Sequence, residues 1–393
     1  MDLFEKCLNF TEAKELITKG CYPYFHPVES AQGPEVILEG QKMIMLGSNN
    51  YLGLSFHEHL KTAAVEAIEK YGVGCVGSRF LTGNTDLHER LEKKLAEFVG
   101  KGAALVFSTG MQTNLGTISA LVGKGDFAII DELDHASIID ACRLSYGRMA
   151  SYKHNDMRDL DKILSLIPGE KGKLIIVDGV FSMEGDIANL PEIIKMAKKH
   201  SARIMVDDAH GLGVTGKNGR GTCEHFNLTK EVDLIMGTFS KSLASIGGFI
   251  AADADIIHYI KHHARALMFS ASFPPSCAAS VLAALEIIEK EPERRERLWK
   301  ITNKMHKEFK QLGFDIGLST TPVIPIIVGN NIQAFQMWRE LFEKGIFTTP
   351  VVSPAVPEGR ALIRTSYMST HTDQHLNKVL DAFSKIGREM GLI

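Results

Sequence analysis

The stretch Ala202-Arg203-Ile204-Met205-Val206-Asp207-Asp208-Ala209-His210 decides how this chain is read. Residues 202–206 form a short run of the kind a buried strand shows. Two acids and a histidine leave its carboxyl end, where open α/β sheets place their ligands. Further β-type runs stand at 103–107, 126–130, 173–178, 233–237 and 247–252, with helical segments or loops between most of them. Leu60, Ala64, Ile68 and Tyr71 form a helical stripe ended by Gly72; Leu87, Leu91, Leu95 and Phe98 form another, ended by Gly100. This alternation predicts an α/β protein with a mostly parallel sheet covered by helices on both faces.

Beyond Pro275 the chain turns helical and, at 286–310, charge-rich. It then gives β-type runs at 323–328, 346–352 and 361–366 and a closing helix with Leu376, Val379, Leu380 and Phe383 on its apolar positions. That pattern is α+β. The expected organisation is a large domain over 47–290, a smaller domain over 291–393, and an N-terminal segment, 1–46, packing on the smaller one. No repeat or low-complexity linker interrupts it.

At 393 residues, 45% hydrophobic and 23% charged, the chain has a globular composition and is long enough to bury a full core. Lys and Arg total 44 against 47 Asp and Glu, a net charge of −3. No global basic field draws in phosphate backbones, so nucleic acid is not an expected partner. The uncharged stretches 102–123 and 266–285 have the length of a membrane span. The first, however, carries Gln112, Thr113 and Asn114 at its centre, and the second a Pro274-Pro275 pair among serines. Six scattered cysteines without a C-x-x-C pair fit a reduced, cytoplasmic compartment, and acids near Met1 fit no export signal.

G-x-G-x-x-G occurs at Gly72, Gly74 and Gly77 and again at Gly211, Gly213 and Gly216. The first follows a helix rather than a strand, and the second is not followed by a helix start, so neither reads as a dinucleotide fingerprint. Asp131, Asp134, His135, Asp207, Asp208 and His210 include metal-type ligands but no ligand spacing, and no metal is expected. Lys241 stands in a small-residue loop, Gly237-Thr238-Phe239-Ser240-Lys241-Ser242, directly after an apolar run and before the uncharged 244–252. A lysine without a solvated face has a lowered pKa and becomes a nucleophile toward carbonyl carbon. Ser108-Thr109-Gly110-Met111 lies between a strand and a helical segment, where free N–H groups bind phosphate.

These pieces are what a pyridoxal phosphate site requires: a lysine, an acid for the pyridine nitrogen, a hydroxyl for the ring oxygen, a phosphate cup and a stacking ring. The order Ser108-Thr109-Gly110, Asp134-His135-Ala136-Ser137, the run from Asp178 to Asp186, Asp207-Asp208-Ala209-His210 and Thr238-Phe239-Ser240-Lys241 resembles the α-oxoamine synthases, a family of fold-type I pyridoxal phosphate enzymes. The resemblance implies that fold type, with a seven-stranded sheet, and pyridoxal 5'-phosphate as cofactor. It implies Lys241 as the residue that holds the cofactor and moves the α-proton, Asp207 facing the pyridine nitrogen, and His135 stacked on the ring. His210 and Ser182 would meet the ring oxygen, and Thr109, Gly110, Met111 and Thr238 the phosphate. Asn49 and Arg364 match positions that meet the amino-acid carboxylate, which suits the bidentate fork of a guanidinium. The segments 71–85, with Ser78, and 269–272, with Ser272, match stretches that reach the partner subunit's site, which implies a homodimer. Met111 replaces the family's usual aromatic, and Asn84 stands where relatives place Thr or Tyr.

The implied reaction joins an amino acid to an acyl-CoA thioester with loss of coenzyme A and carbon dioxide. The run from Tyr22 to Ser30, the loop from Gly72 to Leu81, Ser353-Pro354-Ala355-Val356-Pro357 and Met368-Ser369-Thr370-His371-Thr372 resemble the branch that condenses L-serine with a long-chain acyl-CoA for sphingolipid synthesis. The rival branches use glycine with acetyl-CoA or alanine with a pimeloyl thioester. A long-chain amphiphile as product also implies loose peripheral contact with the inner membrane surface.

Overall fold

The computed structural model describes residues 2–393, which divide into two compact units. The larger comprises Asn49–Ser182 and Asp186–Leu298; the smaller comprises the chain up to Ser48, Met183–Gly185 and Trp299–Ile393.

The larger unit is built on a seven-stranded sheet. Its spatial order is Ala103–Phe107, Gly248–Ala252, Leu234–Thr238, Arg203–Asp207, Lys173–Asp178, Phe127–Asp131 and Arg148–Tyr152. Every neighbouring pair is parallel except those made by Gly248–Ala252, which runs against both of its neighbours. The reversal explains the loop at 239–247: a chain that returns antiparallel needs no crossover helix, and the short connection carries Lys241 at the carboxyl edge. The strands Lys173–Asp178, Leu234–Thr238 and Gly248–Ala252 are buried at every position, which is why they read as unbroken runs. One face packs Leu105, Ile130, Ile176, Met205, Met236 and Ile250 under the helices. The edge strand Arg148–Tyr152 escapes the sequence reading because Arg148, Met149 and Ser151 are exposed and no apolar run marks it.

The stretch 102–123 resolves into the strand Ala103–Phe107 and the helix Gly110–Leu121, and 266–285 runs into the helix Pro275–Lys290. The helices Glu58–Tyr71 and Asp86–Val99 end at Gly72 and Gly100, as their apolar stripes predict.

In the smaller unit the hairpin Glu35–Leu38 and Gln41–Met45 pairs with Ile346–Phe347, and a second sheet joins Val323–Gly329, Ala361–Ser366 and Thr349–Val351. The expected single run at 346–352 is therefore split between two sheets. The helix Asp373–Glu389 buries Leu376, Val379, Phe383 and Ile386. The N-terminal helices Glu5–Leu8 and Glu12–Thr18 bury nothing, leaving Leu3, Phe4, Leu8, Phe10 and Ile17 exposed. Among the described residues no helix is long and apolar enough to cross a membrane.

Candidate active site

Strand ends converge at the carboxyl edge of the large sheet. Thr109 follows Ala103–Phe107, His135 follows Phe127–Asp131, and Asp178, Asp207 and Thr238 end their own strands. They line a cavity of about 340 Å³ together with Gly110, Met111, Asn114, His210, Ser240 and Lys241, a size usual for small-molecule sites.

Asp207 is buried. Its Oδ2 accepts from Asn114 Nδ2 at 2.8 Å and its Oδ1 from the Ala209 N–H at 3.1 Å. Both donors are uncharged, so the carboxylate's negative charge is not spent on a cation bonded to it. Asn114 Nδ2 also donates to Ser137 Oγ at 2.9 Å, while its buried Oδ1 has no hydrogen-bond partner among the described residues. Asp178 stands beside Asp207 in the strand register and accepts the His135 N–H at 3.1 Å. Burial, with the charge of Asp207 next, holds the Asp178 carboxyl well above the usual carboxylate range.

His135 caps the helix Ala136–Leu144. Its Nδ1 accepts the Ser137 N–H at 3.2 Å and lies 2.7 Å from Ser137 Oγ. With Nδ1 taken as acceptor, the ring proton sits on Nε2. Burial pushes the imidazole pKa down, Asp207 opposes this, and the positive charge of Lys241 adds to it, so the ring is neutral near pH 7. His210 is buried with Nδ1 2.7 Å from the Tyr51 hydroxyl, which in turn donates to Asn49 Oδ1 at 3.4 Å.

The turn at Thr109 opens the helix Gly110–Leu121, with Thr109 Oγ1 accepting the Gln112 N–H at 3.1 Å. A Cβ on Gly110 would come within 2.9 Å of Thr238 Oγ1, so the turn packs closely against that hydroxyl. The N–H groups of Gly110 and Met111 belong to the first turn, whose amides have no intrahelical acceptor. Met111 is 45% exposed at the cavity wall.

Other residues singled out in the sequence lie elsewhere. Asp208 turns away from the cavity: its Oδ1 accepts from Thr222 Oγ1 at 2.7 Å and its Oδ2 from the Thr222 N–H at 2.5 Å. Burial pushes it up to about 7. Side chains at Gly211 or Gly221 would collide with this carboxylate, so the second glycine triplet has its first member where Asp208 needs room. Ser182 is half-buried in the loop after Lys173–Asp178, two residues past Val180, which lines the cavity.

Ser78 and Ser272 sit together, with the Ser272 N–H donating to the Gly77 carbonyl at 2.9 Å. Ser272 Oγ lies 3.2 Å from Nε2 of the buried His88, whose pKa burial lowers to about 4. Asn84 accepts from Arg79 Nε at 2.6 Å and donates to Glu89 at 2.9 Å, beside the Thr85 cap of Asp86–Val99. Arg364 is buried in Ala361–Ser366 of the smaller unit. The sequence reading missed Asn114, Ser137, Ser240 and Tyr51. The only signal for Asn114 was a polar side chain inside an uncharged helix, five residues after Thr109.

The pattern of the aminotransferase class I and II family matches residues 41–383. The chain is 51% identical to a serine palmitoyltransferase of Sphingobacterium spiritivorum over 98% of this chain and 97% of that one. It is 44% identical to an 8-amino-7-oxononanoate synthase of Thermoanaerobacter pseudethanolicus over 98% of each. A solved structure of serine palmitoyltransferase from S. paucimobilis, carrying a PLP-myriocin aldimine, matches with a TM-score of 0.96 at 37% identity and covers 100% of both chains. The chain belongs to the aminotransferase class I and II family, in its α-oxoamine synthase branch.

Proposed function

We propose that this protein condenses L-serine with a long-chain acyl-CoA, palmitoyl-CoA, releasing coenzyme A and carbon dioxide and forming 3-ketodihydrosphingosine, the first step of sphingolipid synthesis. The observation that carries the chemistry is one cavity that gathers Lys241, a buried Asp207 held by uncharged donors, and a helix N-terminus. The choice of substrates rests on identity, 50–51% to serine palmitoyltransferases against 42–46% to oxononanoate synthases.

The donor set fits pyridoxal phosphate, which when bound supplies an electron sink for negative charge at the substrate α-carbon. Lys241 would hold it and carry the α-proton on Nζ. Asp207 would keep the pyridine nitrogen protonated; a unit charge pair near 4 Å is worth about 4 kcal/mol at an effective dielectric of about 20. The amides of Gly110 and Met111, with the hydroxyls of Thr109, Thr238 and Ser240, would bind the phosphate. Neutral His135 would present its flat face to the ring without adding positive charge. His210, held by Tyr51, and Ser182 would meet the ring oxygen, while Asn49 would bind the serine carboxylate.

Homodimerisation is part of the proposal, with Ser78 and Ser272 serving the partner's site. Val73, Val76, Leu81 and Phe269 on these segments are 81%, 98%, 80% and 73% exposed, an apolar surface that a second copy would cover. The exposed Leu3, Phe4, Leu8 and Phe10 support loose contact of a cytoplasmic enzyme with the inner membrane surface.

Coenzyme A release measured with serine, glycine and alanine, each with short and long acyl-CoA, tests the substrate assignment. Turnover of serine with palmitoyl-CoA is expected. Turnover only of glycine with acetyl-CoA, or of alanine with a pimeloyl thioester, would replace it with the corresponding rival.

A further inference from the structure

The acid cluster beside the cavity holds a histidine that none of these roles uses. His154 follows the edge strand Arg148–Tyr152, and its ring lies between two carboxylates, Nδ1 at 3.0 Å from Asp131 Oδ1 and Nε2 at 3.0 Å from Asp186 Oδ2. Asn155 repeats the bridge: its N–H donates to Asp131 Oδ2 at 2.8 Å and its Nδ2 to Asp186 Oδ2 at 2.9 Å. To do so Asn155 takes φ of 50°, a left-handed conformation that asparagine tolerates better than most residues. With a carboxylate oxygen at each nitrogen, the His154 ring holds both protons. Burial works against that charge, but the two hydrogen bonds and the two negative charges outweigh it and lift the ring to about 10.

Each carboxylate is tied to a different part of the site. Asp131 ends the strand leading to His135. Its N–H donates to Asp134 Oδ2 at 2.9 Å, Asp134 Oδ1 accepts the Asp178 N–H at 2.8 Å, and Asp178 Oδ2 accepts the His135 N–H at 3.1 Å. Asp186 closes the loop carrying Ser182. The Phe181 N–H donates to the Asp186 carbonyl at 3.0 Å, Val180 bridges Ile187, and the Phe181 ring meets the His154 ring edge-on at 4.4 Å.

We propose that His154 and Asn155 are positioning residues that fix the spacing between the turn carrying His135 and the loop carrying Ser182, and so the fit of the cofactor ring. The inference rests on the roles given to His135 and Ser182 above. An apolar core of equal volume would serve stability as well as buried charges do; what charged hydrogen bonds add is direction and a defined distance.

The test uses H154A, H154Q and N155A, with hydrogen exchange on the cofactor-free proteins and pyridoxal phosphate titration of the same preparations. In H154A the amides of 131–137 and 180–187 should exchange faster. Pyridoxal phosphate should bind about tenfold more weakly, as the loss of one charge-assisted hydrogen bond's worth of positioning implies. The pH midpoint of the visible band should shift, and H154Q should recover part of each change. A folded H154A with wild-type cofactor affinity and an unmoved midpoint would overturn the proposal, even with a lower melting temperature. Should H154A not fold, D186N is judged by the same criteria. If the wild type shows no Lys241-dependent visible band, the cofactor reading fails by itself. Unchanged protection of 180–187 in cofactor-free H154A would then overturn the clamp separately.

Discussion

His135 and His154 flank the same acid cluster and burial pushes both rings toward neutrality, yet they end in opposite charge states. His135 gives Nδ1 to a backbone N–H and feels the positive charge of Lys241, and its pKa falls. His154 has a carboxylate at each nitrogen, and its pKa rises to about 10. The difference shows how one edge of a sheet divides its work. The cavity side leaves charge available for chemistry, and the neighbouring side uses charge to hold loops apart. Substitutions on the first side should cost activity with little stability; on the second they should cost stability first, with cofactor affinity falling by only about tenfold.

Lys241→Ala should break the cavity side most completely. The visible absorbance should vanish and turnover should fall by about 10²–10⁴-fold, the range of a positioned proton carrier; retention of either would remove Lys241 from its assigned role. Asp207→Asn comes next, with about a 10³-fold loss of turnover, equivalent to the roughly 4 kcal/mol of a lost charge pair, and a melting temperature close to wild type.

On the other side, His154→Ala should lower unfolding free energy by about 3–5 kcal/mol, because it leaves buried carboxylates without their cation. Chemical denaturation measures this. The same pair predicts a pH dependence. The folded protein holds a proton to about 10 that the unfolded chain releases near 6.5. His154 therefore stabilises fully below about 6.5, and its contribution is lost as pH rises toward 10. That loss should be absent from His154→Ala, and an identical slope in both proteins would contradict the charged assignment.

Asn114→Ala tests whether the two sides are separable at their seam. It removes one donor from Asp207 Oδ2 and should reduce turnover by about tenfold, the worth of a hydrogen bond to a charged group. The smallest stability effect expected is from Thr109→Ala, which removes a helix cap worth about 1 kcal/mol, read by equilibrium unfolding, alongside the weaker phosphate binding that losing this hydroxyl from the cup implies.

Much of the sheet was legible in the sequence because its central strands are covered on both faces and leave continuous apolar runs. Arg148–Tyr152 was not legible, since its outward residues are exposed and its pairing with Phe127–Asp131 is a long-range choice. The site divides in the same way. Lys241, Asp207 and the Thr109 turn announce themselves by being polar at the ends of apolar runs. Asn114 and Tyr51 become functional only through Asp207 and His210, distant in the chain.

By itself the sequence determined the α/β alternation, the order of the motifs and the residue types available to the chemistry, because hydrophobic period and turn composition act locally along the chain. The family resemblance already pointed to Asp207 over Asp208, and tertiary structure supplies the physical reason; it alone decided which of His135 and His154 carries a charge. Those outcomes depend on through-space partners: Asn114 at Asp207, Thr222 at Asp208, Lys241 near His135 and Asp186 at His154. Electrostatic energy falls with distance and grows with burial, and neither quantity is written in sequence spacing.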